Sequence, residues 1–182
     1  MNLAALENKP TLQGARIRLE PLGIEHLDGF VKQMQDPDLD RLTGSHGGNP
    51  SLEVGRQWLS TRKGTKDRLD LAIIETETGD FAGEIVLNDL STANESCNLR
   101  LWLGASFRDH GYGSEAIRLV LAYAFDVVGL HRVELEVYAF NQRAIRTYER
   151  CGFEVEGRLR HALLWEGERY DALIMGILNE AA

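Results

Sequence analysis

Hydrophobic and polar residues alternate along Ile17-Arg18-Leu19-Glu20-Pro21, which predicts an opening strand with one buried face. Residues 25–34 follow as a short helix that ends before Asp36-Pro37. The stretch 36–51 is rich in Gly, Asp and Pro, with Gly44-Ser45-His46-Gly47-Gly48-Asn49-Pro50 at its centre, and reads as an irregular loop. Ser51 then caps a helix over 52–63, with Val54, Trp58 and Leu59 on one side. Residues 69–75 and 81–87 form a hairpin about Thr78-Gly79-Asp80, and 98–103 adds a third strand beside it. An amphipathic run over 114–128 predicts a helix of about four turns. Val133, Leu135 and Val137 then alternate with Glu134, Glu136 and Tyr138 in another strand. Asn141 caps a helix over 142–150 that Cys151-Gly152-Phe153 stops, and 153–165 with 169–178 closes a hairpin at Glu166-Gly167. The pattern predicts an α/β (α+β) fold, a mixed, largely antiparallel sheet of about seven strands with helices on both faces.

The chain has 182 residues, enough for one domain, and its 43 % hydrophobic content is that of a globular protein. Residues 1–13 read as an N-terminal extension and 14–180 as a single domain. No apolar run reaches the roughly 20 residues of a membrane span, and the start of the chain lacks a signal core. Cys97 and Cys151 suit neither a disulfide framework nor a metal site, which points to a reducing, cytoplasmic setting. Five scattered histidines add no ligand spacing, so no metal is expected. A net charge of −8 argues against nucleic acid as a partner and favours cationic amines at the surface.

One stretch carries chemistry. Arg108-Asp109-His110-Gly111-Tyr112-Gly113 sets an arginine and two glycines before the 114–128 helix. The first turn of a helix has N–H groups without partners and a partial positive charge. Glycine lets the main chain approach a ligand closely, so this start forms a cradle for a pyrophosphate. Two carriers are candidates. Gly111 to Ala116 satisfies the dinucleotide fingerprint literally, but that motif should follow its strand directly, and residues 104–110 intervene. A nucleotide-binding P-loop is excluded, because no Gly-Lys-Ser/Thr follows.

Downstream, the order continues as strand, Asn-x-x-Ala-x-x-x-Tyr-x-x-x-Gly-Phe, from Asn141 through Tyr148 to Phe153. With the cradle, this resembles the GNAT N-acetyltransferase superfamily, and the N-terminal half and the 161–174 segment resemble its RimJ/RimL branch. The resemblance implies a GNAT-like sheet and acetyl-CoA as co-substrate. Arg108, Gly111 and Gly113 would grip its pyrophosphate, with main-chain N–H groups of Asp109, Tyr112 and Ser114. Asn141 would contact the pantetheine or adenosine portion, and Tyr148 would sit beside the thioester sulfur. The main chain of Leu101, Trp102 and Leu103 would pair with the pantetheine amides like an added strand. The side chain of Trp102 is expected in the core.

The implied reaction is attack of a primary amine on the thioester in a ternary complex. The acceptor could be a peptide N-terminus, a polyamine or a drug-like amine. Tyr148, a phenol, can donate to the departing thiolate. The base is less defined: Asn98 stands where relatives place a carboxylate and Leu163 where some place a glutamate, leaving Glu84 and Asp89. His46, Trp58 and the 52–63 helix are expected to line the acceptor side. The resemblance also implies a homodimer. The alternative to an enzyme is an acyl-CoA sensor that keeps the cradle without turnover.

Overall fold

The computed structural model describes residues 1–48 and 50–180. Eight strands form one sheet in the order β1-β2-β3-β4-β5-β6-β8-β7. They are β1 (Leu12–Gln13), β2 (Ile17–Pro21), β3 (Leu69–Glu75), β4 (Phe81–Ser91), β5 (Ser96–Leu103), β6 (Arg132–Tyr138), β7 (Glu154–Trp165) and β8 (Glu168–Leu178). Every neighbouring pair is antiparallel except β5 and β6. The strand beyond the seven expected is β1, whose two residues are too few to show alternation and which pairs Leu12 with Leu19.

Helices α1 (Ala4–Glu7), α2 (Leu27–Gln33), α3 (Leu39–Thr43), α4 (Leu52–Arg62), α5 (Tyr112–Ala122) and α6 (Gln142–Arg150) complete the fold. Helices α2 and α4 cover one face over Leu22, Phe30, Leu59, Ala72 and Phe81. Helices α1, α5 and α6 cover the other, over a larger core that includes Leu71, Ile73, Ile85, Leu99 and Ile117. Each fully buried aliphatic side chain there contributes on the order of 1.5–3 kcal/mol. No helix among the described residues is long and apolar enough to cross a membrane.

Several expected elements take a different form. The 36–51 stretch is not wholly irregular, because α3 lies within it and Gly44, at φ 69°, ends that helix. Its Asn49 lies outside the described residues. The 25–34 helix begins as a 3-10 turn over Ile24–His26. The 114–128 helix starts earlier, at Tyr112, and widens into a π-helical turn over Tyr123–Val128 that Gly129 ends at φ 77°. Ser51 caps α4 as expected, its Oγ accepting from Val54 N at 3.2 Å. The buried side of α4 is Gly55 and Leu59, whereas Val54 is 56 % exposed.

The parallel pair positions the site. β5 and β6 pair only at Ser96↔Arg132, Cys97↔Val133 and Asn98↔Glu134. Beyond that point β5 stays paired with β4 as far as Leu103↔Gly83, and β6 with β8 as far as Tyr138↔Ala172. Each strand thus follows its own antiparallel partner, and the sheet opens between them. The inner edges of 99–103 and 135–138 keep main-chain groups free of sheet pairing.

Candidate active site

A cavity of about 480 Å³ fills this opening. Its size is that of a small-molecule or cofactor site. Leu101, Trp102 and Leu103 form one wall, and the start of α5 from Gly111 to Ser114 forms the floor. Arg108, Asp109, Asn141 and Tyr148 also line it. The cavity therefore brings together the residues expected to hold the carrier and Tyr148, but not Glu84, Asp89, His46 or Trp58.

The floor is shaped by backbone conformation. Asp109 and Gly111 both adopt positive φ, 65° and 78°, which turns the chain sharply into α5. The first intrahelical bond runs from Glu115 N to Gly111 O at 3.1 Å, so the N–H groups of Tyr112, Gly113 and Ser114 are left without helical partners. At Gly113 a Cβ would lie 3.4 Å from Leu101 Cδ2 and 3.6 Å from Leu103 Cδ1, so the helix start packs closely on β5. The turn is anchored by the residue just before β2. Arg16 Nη1 donates to His110 O at 2.6 Å, and Glu115 accepts from Arg16 N at 2.9 Å and Arg16 Nε at 3.1 Å. The side chain of Tyr112 is drawn toward β3, where its hydroxyl donates to Glu75.

Arg108 does something other than what the sequence suggests. Its Nε donates to Leu103 O at 3.0 Å, and its Nη2 pairs with Asp36. The two side chains are only 11 % and 6 % exposed. The guanidinium expected to grip a diphosphate is committed to holding the turn after β5 against the start of α3. Asp36 takes part in that start, accepting from Asp38 N at 3.0 Å.

Asn141 caps α6, its Oδ1 accepting from Ala144 N at 3.2 Å. That helix delivers Tyr148, 7 % exposed, whose ring meets Phe153 edge-on at 5.8 Å. Tyr148 Oη has no hydrogen-bond partner among the described residues and is not sealed from the cavity. Burial pushes its phenol up to about 12, so it stays protonated at any physiological pH.

Glu84 lies on the α2 and α4 face, opposite Trp102 on β5 and Ala72 on β3. It is 5 % exposed, and its Oε2 accepts from Trp102 Nε1 at 3.0 Å. Burial pushes its carboxyl up to about 7, although the indole hydrogen bond works the other way. Trp102 reaches the cavity while Glu84 sits behind it. Its indole is half-buried, edge-on to Phe30 at 5.7 Å. Asp89, at φ 53° near the end of β4, accepts from Asn88 Nδ2 at 2.8 Å and does not line the cavity.

His46 and Trp58, expected on the acceptor side, do not line the cavity either. His46 stacks on Trp165 at 5.5 Å, and Trp58 stacks on Phe30 at 5.4 Å beneath α4. Their place is taken by Leu39, Leu42 and Thr43 of α3. Sequence reasoning also missed Arg100 and Glu136, which line the cavity from β5 and β6. A signal existed: both occupy polar positions of half-buried alternating strands, one beyond Asn98 and the other beyond Glu134.

A sheet split between two parallel strands, with a glycine helix start at the base of the split, has the architecture of an acyl-carrier-dependent transferase. The acetyltransferase (GNAT) domain model matches residues 16–154, and the chain belongs to that family of N-acetyltransferases. The N-acetyltransferase YokL of Bacillus subtilis (strain 168) is 29 % identical over 125 residues, which cover 69 % of this chain and 70 % of YokL. The spermidine N(1)-acetyltransferase of Escherichia coli (strain K12) is 28 % identical over 101 residues, 56 % of this chain. The match spans about half, 54 %, of that relative's length. In fold, the chain is similar to spermidine N-acetyltransferase from Vibrio cholerae, solved in complex with CoA and spermine. The TM-score is 0.82 at 19 % identity, covering 91 % of this chain and 96 % of the other.

Proposed function

We propose that this protein transfers acetyl from acetyl-CoA directly to a primary amine in a ternary complex. The observation that carries the reading is the opening between β5 and β6, where an unpaired strand edge leads to the free N–H groups of Tyr112, Gly113 and Ser114. An extended arm with amides can pair along 101–103, and a diphosphate can sit on the start of α5. Arg108 contributes by locking the turn that presents these groups. The residues fit the carrier: Tyr112, Gly113 and Ser114 line the cavity with N–H groups that have no helical partners.

The chemistry then follows from position. The acceptor ammonium loses a proton toward solvent, and its nitrogen lone pair attacks the thioester carbonyl carbon. The attacking nitrogen gives up its second proton to solvent, the tetrahedral intermediate collapses, the C–S bond breaks, and the sulfur takes a proton from Tyr148 Oη, which solvent restores. The products are an amide, CoA thiol and one proton. A phenol at about 12 is a poor acid against a thiol in water. A thiolate leaving into a partly desolvated cavity is a stronger base than in water, which narrows that gap.

The relatives named for spermidine support an amine as acceptor, and the sequence arrangement supports the RimJ/RimL-like branch. The test combines calorimetric titration with acetyl-CoA and initial-rate kinetics of thiol release across an amine panel. Binding, with rate lines that intersect when both substrates are varied, is expected. Parallel lines would mean a covalent acyl-enzyme and would remove direct attack.

A further inference from the structure

The charged groups of the cavity are almost all spoken for. Arg108 is held by Leu103 O and Asp36, and Arg143 Nη1 pairs with Asp109 at 3.3 Å. Arg150 Nη2 donates to Thr147 Oγ1 at 3.3 Å. What remains is one cation and one anion, Arg100 on β5 and Glu136 on β6. Among the described residues neither has a hydrogen-bond or ion-pair partner, and they do not close on each other.

Their placement is not arbitrary. In the parallel register Asn98 pairs with Glu134, so Arg100 and Glu136, each two residues further on, flank the opening on the same face. That face is the one α3 roofs: Leu39, Leu42 and Thr43 line the cavity, and Gly44 lies against the Tyr138 hydroxyl. Tyr138 lies within reach of both charges. Burial lifts its phenol, the Glu136 charge adds to this, and the Arg100 charge opposes it. Trp102 and its partner Glu84 close the side next to Arg100.

We infer that Arg100 and Glu136 together select a zwitterionic acceptor, an amine that carries its own carboxylate, as a free amino acid does. Glu136 attracts the ammonium toward the opening where the thioester is to lie, and Arg100 receives the carboxylate in a two-pronged, charge-assisted contact. A polyamine fits this pair less well, since its second ammonium would meet the like charge of the Arg100 guanidinium. The inference rests on the acetyl-CoA reading above, and it makes this site differ in charge preference from the spermidine enzymes it resembles in fold.

The test follows thiol release from acetyl-CoA with the free L-amino acids, their C-terminal amides and spermidine as acceptors. For the preferred amino acid, kcat/KM should exceed that of its amide by roughly ten- to a hundredfold, the weight of a lost charged contact. In Arg100→Gln the acid-to-amide ratio should fall toward one, and in Glu136→Gln KM should rise for every amine. Calorimetric titration with acetyl-CoA accompanies each variant. Turnover of spermidine alone, equal use of acid and amide, or no turnover of any amino acid by a protein that binds acetyl-CoA would overturn the inference. Loss of acetyl-CoA binding in Arg100→Gln would overturn it too, by assigning the arginine to the carrier. A wild-type protein that binds no acetyl-CoA would instead bring down the carrier reading.

Discussion

The indole Nε1 of Trp102 donates to Glu84 Oε2 at 3.0 Å, across the register that pairs these residues on β5 and β4. The bond turns a buried acid into a support for the cavity wall, and it has a consequence for stability. Burial raises the Glu84 carboxyl from 4.5 to about 7. Between those values the folded protein keeps a proton that the unfolded chain releases, so stability falls as pH rises through this window. The loss levels off above pH 7 and is on the order of 3 kcal/mol. Glu84→Gln keeps an acceptor for the indole and never ionises. Its melting temperature should exceed the wild type's at pH 8 and approach it at pH 4.5. Parallel melting curves across that range would show that the carboxylate is solvated after all.

The two glycines of the cradle should fail differently. Gly111 has φ 78°, and a Cβ there would lie 2.8 Å from Arg16 Nη2, whose guanidinium anchors His110 O. Gly111→Ala should therefore cost about 1–2 kcal/mol of stability, read from urea unfolding. Gly113 lies in α5 without a positive φ, and a Cβ there would make only ordinary contacts with Leu101 and Leu103. Gly113→Ala should fold with a urea midpoint close to the wild type's and bind acetyl-CoA more weakly in calorimetry. Normal binding by folded Gly113→Ala would show that the carrier does not approach this backbone.

What the amino-acid pattern revealed, and what it hid, divides along physical lines. Strands such as β6 were legible because Val133, Leu135 and Val137 face a core while their neighbours do not. The Asn141 cap was legible because its partner, Ala144 N, is three residues away. Helix α3 was hidden, since five residues between Asp36-Pro37 and a glycine-rich run are too few to show a helical period. The role of Arg108 was hidden for a different reason: its partner Asp36 is 72 positions away in sequence. Glu84 looked like a base because nothing local showed that β5 would lay an indole against it.

That distant pair can be measured. Arg108 and Asp36 are buried together, so removing one charge strands the other. Asp36→Asn keeps the acceptor for Asp38 N while removing the charge. It should cost about 3–5 kcal/mol in urea unfolding, the range for a broken buried pair. Combining it with Arg108→Met should restore part of the loss. A coupling below about 0.5 kcal/mol in this double-mutant cycle would mean that the two groups act independently.

Tyr148 offers the sharpest test of the chemistry. Its Oη has no hydrogen-bond partner among the described residues, so Tyr148→Phe should leave the fold and its packing on Phe153 intact. The rate of thiol release should nevertheless fall by roughly 10²–10⁴-fold, as for a lost general acid. Acetyl-CoA affinity should barely change, because the proposed carrier site lies along the main chain of 101–103 and the start of α5. In the wild type, the phenol at about 12 stays protonated across the usual assay range, so Tyr148 should impose no alkaline limb on the rate below pH 10. An alkaline limb between pH 8 and 10 that vanishes in Tyr148→Phe would contradict the burial that holds the phenol protonated. An unchanged rate in the variant would leave the thiolate to take its proton from water.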